Sequence, residues 1–253
     1  MILTVDIGNT ETVLGLFEGR AAVQVWRVAT ERERTADEIV LLVRGLLGTD
    51  GVNATDRIVV GSVVPVLNRA WSAMAEILGL PLQFLDGTSP VPIRLMVDHP
   101  SQVGADRIAN TLAAVELFSR DIIVVDLGTA TTFDCISADG VFLGGVIAPG
   151  PRTALDQLTR SAAQLPQVEL QPPASVIGTN TLDCLLSGGF YGVVDGIDGI
   201  VTRILKEWER EEPLVVATGG LADVVVPYCK SVDQIEPVLT VTGLAIADRY
   251  LFD

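Results

Sequence analysis

The hydrophobic pattern of the chain repeats itself. Residues 3–20, LTVDIGNTETVLGLFEGR, and residues 123–140, IVVDLGTATTFDCISADG, align at an offset of 120. Each copy has an apolar run, Asp, an apolar residue, Gly and a short polar stretch. A second run rich in Val, Thr, Leu and Phe follows and ends at Glu-Gly or Asp-Gly. Two such runs around a glycine-containing turn predict a β-hairpin in each copy. A third strand is predicted after each hairpin, at Ala22–Val28 and at Val141–Ala148.

The period then changes to that of helices. Thr35-Ala36-Asp37-Glu38 followed by IVLLVRGLL has an N-cap threonine with a glutamate three positions on, then apolar helical spacing. A strand at Arg57–Val60, a helix near Leu67–Leu78 and a helix over Ala105–Phe118 complete the first half. In the second half a long helical stretch runs from Gly178 to about Glu209. Pro213 then introduces a strand, Leu214–Thr218, that ends at Gly219-Gly220 before a further helix. Hairpin plus strand, then helix, strand and helix, twice over, predicts a duplicated α/β fold with two mixed sheets and flanking helices. The halves are expected at 1–118 and 119–253.

Composition narrows the function. At 253 residues, with 49% hydrophobic and 19% charged residues, the chain has enough apolar material for a substantial core. The net charge is −15 and the lysines are Lys206 and Lys230 alone, so the surface repels a phosphate backbone and no nucleic-acid partner is expected. No uninterrupted apolar run of membrane-spanning length occurs, and MILTVDIGNT reads as a first strand, so no membrane partner and a cytoplasmic location are expected. Cys135, Cys184 and Cys229 are widely spaced beside a single histidine, His99, which gives poor support to a zinc site. Cys135 and Cys184 are expected to be packed thiols.

No GxxxxGK[ST] loop, no kinase H-R-D or D-F-G set and no strand followed by GxGxxG is present. A bound nucleotide must therefore be held by the repeated turns. Glycine in Asp6-Ile7-Gly8-Asn9-Thr10 lets main-chain N–H groups face a phosphate, and Asn9, Thr10 and Thr12 add side-chain donors. Asp6 is the natural carboxylate for Mg²⁺, and Asp126 with Thr129 supplies a second set. An ordinary Asp-Gly turn is the bland alternative, against which stand the two copies and the strand-ending Thr218-Gly219-Gly220. In Pro100–Asn110, Gly104 precedes Ala105-Asp106-Arg107 at the start of a helix. Asp106 there could simply favour the helix dipole, or it could accept a hydroxyl proton while Arg107 holds an anionic group.

DIGNT at 6–10, VGADRIAN at 103–110, VVDLGTATTFD at 124–134, GGVIAPG at 144–150 and GTNT at 178–181 occur in the order seen in type III pantothenate kinases. LPQV at 165–168 and LTVTGL at 239–244 agree, so the chain resembles that family over nearly its whole length. The resemblance implies the ribonuclease-H-like, actin-like ATPase fold and transfer of phosphate from ATP to pantothenate, the first step of coenzyme A biosynthesis. By that likeness Asp6, Ile7, Gly8, Asn9, Thr10, Glu11, Thr12 and Val13 form the ATP-phosphate turn, with Asp6 a possible Mg²⁺ ligand, and Thr129 is a second ATP contact. Gly104, Ala105, Asp106, Arg107 and Thr181 bind pantothenate, with Asp106 the proton acceptor. Asp126 resembles the ligand of a monovalent cation, K⁺ or NH₄⁺. The family also implies a homodimer. Val97 stands where many members carry a tyrosine against the substrate, a departure that bears on one contact and not on the reaction type. Two other functions fit the same fold: a kinase for another small hydroxyl or carboxylate substrate, and a non-catalytic accessory or regulatory relative. Retention of Asp6, Asp106 and Asp126 speaks against the last.

Overall fold

The structure, a computed structural model, describes residues 1–162, 165–208 and 212–252. It divides into two compact units, Met1–Phe118 with Val238–Asp253, and Ser119–Pro237.

The first unit opens with three antiparallel strands, β1 (Ile2–Ile7), β2 (Glu11–Glu18) and β3 (Ala21–Ala29). Helix α1 (Ala36–Ala54) starts at Thr35, whose hydroxyl accepts from the Glu38 N–H while the Glu38 side chain accepts from the Thr35 N–H. That reciprocal cap is the one the sequence pattern predicts. β4 (Arg57–Ser62), α2 (Pro65–Leu78), β5 (Leu82–Leu85), the short β6 (Arg94–Leu95) and α3 (Ala105–Phe118) follow. β4 returns parallel to β1 and β5 parallel to β4, which gives the sheet order β3-β2-β1-β4-β5. Leu3, Val5 and Ile7 of β1 join Ile39, Val43, Ile58, Val60, Trp71 and Met74 in a core with no water-exposed member larger than a few per cent. Leu3, Val5 and Ile7 share one face of β1, as the two-residue period of a strand requires, and Thr4 on the other face is buried as well.

The second unit repeats the plan. β7 (Ile122–Leu127), β8 (Ala130–Ser137) and β9 (Val141–Pro149) are antiparallel. α4 (Pro151–Ser161) and α5 (Thr181–Trp208) precede β10 (Leu214–Thr218), α6 (Ala222–Val225) and β11 (Gln234–Ile235). β10 lies parallel to β7 and β11 parallel to β10, so the unit's own strands run β9-β8-β7-β10-β11, the order of the first sheet. Even the irregularities recur. β3 carries one extra residue, Val23, opposite the Leu16–Phe17 step of β2, and β9 carries one, Leu143, opposite the Cys135–Ile136 step of β8.

α5 is long and apolar enough by composition to cross a membrane. Leu185, Phe190, Val194, Ile197 and Val201 instead place it in the core of the second unit, as a core helix of the same hydropathy would be. Before it, residues 165–180 carry neither helix nor strand, in keeping with the proline-rich LPQVELQPP.

α7 (Leu239–Leu251) packs on α3 and β1, within the first unit. The division 1–118 and 119–253 followed the internal repeat. Side-chain contacts decide where α7 packs. Gly243 lies so close to α3 that an added Cβ would stand 1.9 Å from the Ala109 carbonyl oxygen. The Thr240 hydroxyl bonds the Asn110 side-chain oxygen at 2.9 Å, and Arg249 bonds Glu116 at 2.8 Å. Asp248, only 5% exposed, takes two hydrogen bonds of 2.6 Å from Arg57, whose guanidinium lies 5.3 Å from the Phe252 ring centre. Asp248→Ala leaves Arg57 without its bidentate partner. We expect a loss of about 2 kcal/mol, less than the ~3–5 of a fully buried pair because Arg57 is partly solvated. Urea denaturation with an unchanged m-value measures it.

Candidate functional site

In the first unit the β1–β2 turn is closed by a hydrogen bond from the Gly8 N–H to the Glu11 carbonyl at 3.0 Å. A Cβ on Gly8 would come 2.9 Å from that oxygen, so the turn tolerates no side chain there. Asn9 and Thr10 project from its tip and are exposed or partly so. The side chains of Ile7 and Val13 are buried in apolar clusters, so these two residues can offer a ligand only their main chain. Thr12 is buried and shares a 2.8 Å hydrogen bond with the Thr30 hydroxyl. Glu11 lies 3.7 Å from Arg27.

Asp6 sits opposite Val13 on β2 and opposite Gly61 on β4. Gly61 is a close-packed point, since a Cβ there would touch Leu244 of α7 at 3.0 Å and Ala105 of α3 at 3.5 Å. One step further, the Val63 N–H donates to the Ile7 carbonyl at 3.0 Å, while the Val63 side chain reaches the position a Gly104 Cβ would take, 3.4 Å away. The β1–β2 turn and the Gly104–Arg107 segment are thus neighbours through a single residue.

At α3 the Asp106 carboxylate accepts the Arg107 N–H at 2.8 Å. It folds back so tightly that a Gly104 Cβ would stand 2.4 Å from its Oδ1, so a side chain there would displace the carboxylate. Burial pushes the Asp106 pKa up, against the opposing pull of the Arg107 N–H and the Arg107 charge. A carboxyl raised by desolvation is suited to taking a proton near neutral pH. Ala105 is buried and can contribute only its backbone.

In the second unit the β7–β8 turn is one residue shorter, Gly128-Thr129 in place of Gly8-Asn9-Thr10, closed by the Gly128 N–H on the Ala130 carbonyl at 3.0 Å. Asp126 is half-buried, and Gly219, at φ +94°, passes so close that its Cβ would stand 2.6 Å from the Asp126 Oδ1. Thr129 is exposed, and its carbonyl accepts from the Gly150 N–H at 3.1 Å and the Thr153 hydroxyl at 2.7 Å. Gly150 and Thr153 hold this turn in place. Of the two, only Gly150 lies in a sequence motif, at the end of GGVIAPG. Thr181 is exposed in the first turn of α5, behind Asn180, whose side-chain oxygen accepts the Asp183 N–H at 3.0 Å.

Two expectations about cysteine meet different outcomes. Cys135 is half-buried, but Cys184 is exposed on α5 rather than packed, its thiol directed to the Gly178 carbonyl at 3.4 Å. The apolar neighbours in sequence point to other faces of the helix. Burial, with Asp198 and Asp195 nearby, pushes the Cys229 thiol up to about 12, so it is inert. Among the described residues no group of three or more His, Cys, Asp or Glu side chains is placed to hold a metal ion. The Asp6 turn, with one carboxylate and a glycine cradle, fits a divalent ion that is bound mostly by phosphate and water.

Solved structures with this topology include component A of (R)-2-hydroxyglutaryl-CoA dehydratase from Acidaminococcus fermentans, 14% identical, TM-score 0.57, covering 99% of this chain and 96% of that one. A ROK family glucokinase from Streptomyces griseus, solved with glucose and AMPPNP, is 14% identical at TM-score 0.53, with 97% of each chain covered. The fold is therefore the duplicated ribonuclease-H-like one, the actin-like ATPase fold. The family model of the type III pantothenate kinases matches residues 2–203. Type III pantothenate kinases of Acidothermus cellulolyticus and Frankia casuarinae are 47% and 44% identical, each aligned over 97% of this chain and 97% and 98% of their own. The chain belongs to the type III pantothenate kinase family, whose members are kinases and use ATP with a divalent metal.

The raised pKa of Asp106 has a consequence for stability. Its native carboxyl binds a proton more tightly than the unfolded one, so the native state loses stability as pH rises from the ordinary carboxylate range through the raised value. Asp106→Asn keeps the acceptor oxygen for the Arg107 N–H without the buried charge. Its melting temperature should exceed that of the parent chain at pH 7.5, and the gap should close as pH falls toward 4, read by calorimetry across that range.

Proposed function

We propose that the chain transfers the γ-phosphoryl group of ATP to the primary hydroxyl of pantothenate, giving 4′-phosphopantothenate at the start of coenzyme A biosynthesis. One observation carries the assignment of roles: the Ile7–Val63–Gly104 adjacency that sets a phosphate-type turn beside a desolvated carboxylate and an arginine. Membership in the family supplies the substrate.

The main-chain N–H groups and side chains of Asp6–Val13 receive the ATP phosphates, with Asn9 and Thr10 as exposed donors, and Thr129 makes a second nucleotide contact. Mg²⁺ at Asp6 and a monovalent cation, K⁺ or NH₄⁺, at Asp126 supply positive charge where the phosphates need it. Gly104, Ala105 and Thr181 line the acceptor. Arg107 anchors the pantothenate carboxylate, a pairing natural to a guanidinium. Asp106, held in place by the Arg107 N–H, orients the hydroxyl and takes its proton as the phosphorus is attacked in line. Positioning and charge stabilisation account for most of the rate in such transfers. The location is cytoplasmic and the working form a homodimer. Exposed Val176, Ile177 and Leu182, just before and at the head of α5, offer apolar surface for a second copy.

ADP release in the presence of ATP, Mg²⁺ and K⁺ should depend on added pantothenate. Asp106→Asn should lower kcat by about 10²-fold or more, with the KM for ATP little changed. The acid limb of the parent kcat profile should lie above the usual carboxylate range, as the raised Asp106 pKa requires. Turnover with a sugar or acetate and none with pantothenate would overturn the acceptor assignment. The cation role gives a separate expectation: replacing K⁺ by Na⁺ lowers activity in the parent chain, and Asp126→Asn removes that difference.

A further inference from the structure

The run ERER at 31–34 reads from sequence as a solvated loop or helix face, and the structure ties it, with Thr30 before it, to the β1–β2 turn. The Thr30 N–H donates to the Thr10 carbonyl at 2.9 Å, and the Thr30 and Thr12 hydroxyls are 2.8 Å apart. The Arg34 N–H closes the loop on the Glu31 carbonyl at 3.2 Å, and the Thr35 cap of α1 fastens its far end. Between these anchors Arg32 reaches back to Asn9, its Nη2 donating to the Asn9 Oδ1 at 2.9 Å.

Resting on the assignment of Asp6–Val13 to the ATP phosphates, we infer that Arg32 is a further nucleotide-binding residue, a cation that the loop holds at the triphosphate. Three considerations support it. A guanidinium has only donors, so the atom it meets on Asn9 is the amide oxygen. The two N–H bonds of the Asn9 amide are thereby turned away from Arg32, free for an anionic ligand. Second, the partner of Arg32 is a neutral amide. Among the described residues its guanidinium meets no carboxylate, so its charge is not cancelled, whereas Arg27 is spent on Glu11 at 3.7 Å. Third, the chain carries a net charge of −15, and both of its lysines lie in the second unit. The turn itself brings Asp6 and Glu11 to a ligand that is already strongly anionic. A positive side chain fixed at this point offsets that repulsion, and four further N–H donors of the guanidinium remain to meet phosphate oxygens.

Isothermal titration of the full chain with the non-hydrolysable analogue AMP-PNP and Mg²⁺ tests this without an acceptor substrate. Arg32→Gln should weaken AMP-PNP about tenfold, the scale of one charge-assisted hydrogen bond. The loss should shrink to under about threefold when salt rises from about 50 to 500 mM, because an exposed charge contact is screened. The melting temperature should be unchanged. Arg44→Gln removes the same charge from the exposed side of α1 and should bind AMP-PNP as the parent chain does. Affinity of Arg32→Gln within twofold of the parent, an equal loss in Arg44→Gln, or a loss that salt does not reduce overturns the inference. If AMP-PNP binding depends on Arg32 while the parent chain never turns over pantothenate, the nucleotide role stands and the acceptor assignment fails.

Discussion

The parallel pairing of β1 with β4 is the constraint on which the first unit's chemistry depends. It sets Asp6 against Gly61 and carries the chain, one residue past the strand, to the Val63 hydrogen bond with Ile7. Because Gly61 has no side chain, α3 and α7 come down onto the sheet at that point. The α3 N-terminus, with Asp106 and Arg107, is thereby fixed beside the turn that follows β1. A methyl group at Gly61 would meet the Leu244 and Ala105 side chains, and one at Gly104 the Asp106 and Val63 side chains, so side-chain packing across these glycines keeps the two segments together.

Duplication explains what the two units share and where they differ. Strand order, parallel returns and the bulge in the third strand are common to both. These are properties of backbone pairing and survive change of side chain. The turns have diverged. The first keeps Asn9 and Thr10 at its tip with a loop fastened over it, while the second is shorter and braced by Gly150 and Thr153. Asp6 faces Gly61 across the strands, while Asp126 faces the turn at Gly219.

Electrostatics sets the other limit. In a chain of net charge −15, Arg32 donates to a neutral amide oxygen, and the Asp106 carboxylate beside Arg107 accepts a main-chain N–H. Asp106 shows the cost of such placement. Desolvation destabilises its charged form in the folded protein and at the same time makes it a better proton acceptor near neutral pH.

Local chemistry was legible in the sequence. The twin hairpins, the Thr35 cap, the Asp-Gly turns and the start of α3 follow from short-range patterns of apolar period, turn residues and capping, and the family resemblance covered the same motifs. The short α4, the strands β5, β6 and β11, and the last helix α7 left no comparable signal, being brief or held by partners distant in sequence. Only tertiary structure decided that α7 packs on α3 rather than within the half it follows, since Gly243, Thr240 and Asp248 find Ala109, Asn110 and Arg57 more than a hundred residues away. It likewise decided that the ERER loop lies on the β1–β2 turn, that Cys184 faces solvent, and that the Asp106 carboxylate folds back over Gly104. Sequence reports which residue types can make a turn or a cap, because those choices are settled within a few residues. Which surfaces meet is settled by the shape of the packed whole, and no local pattern contains it.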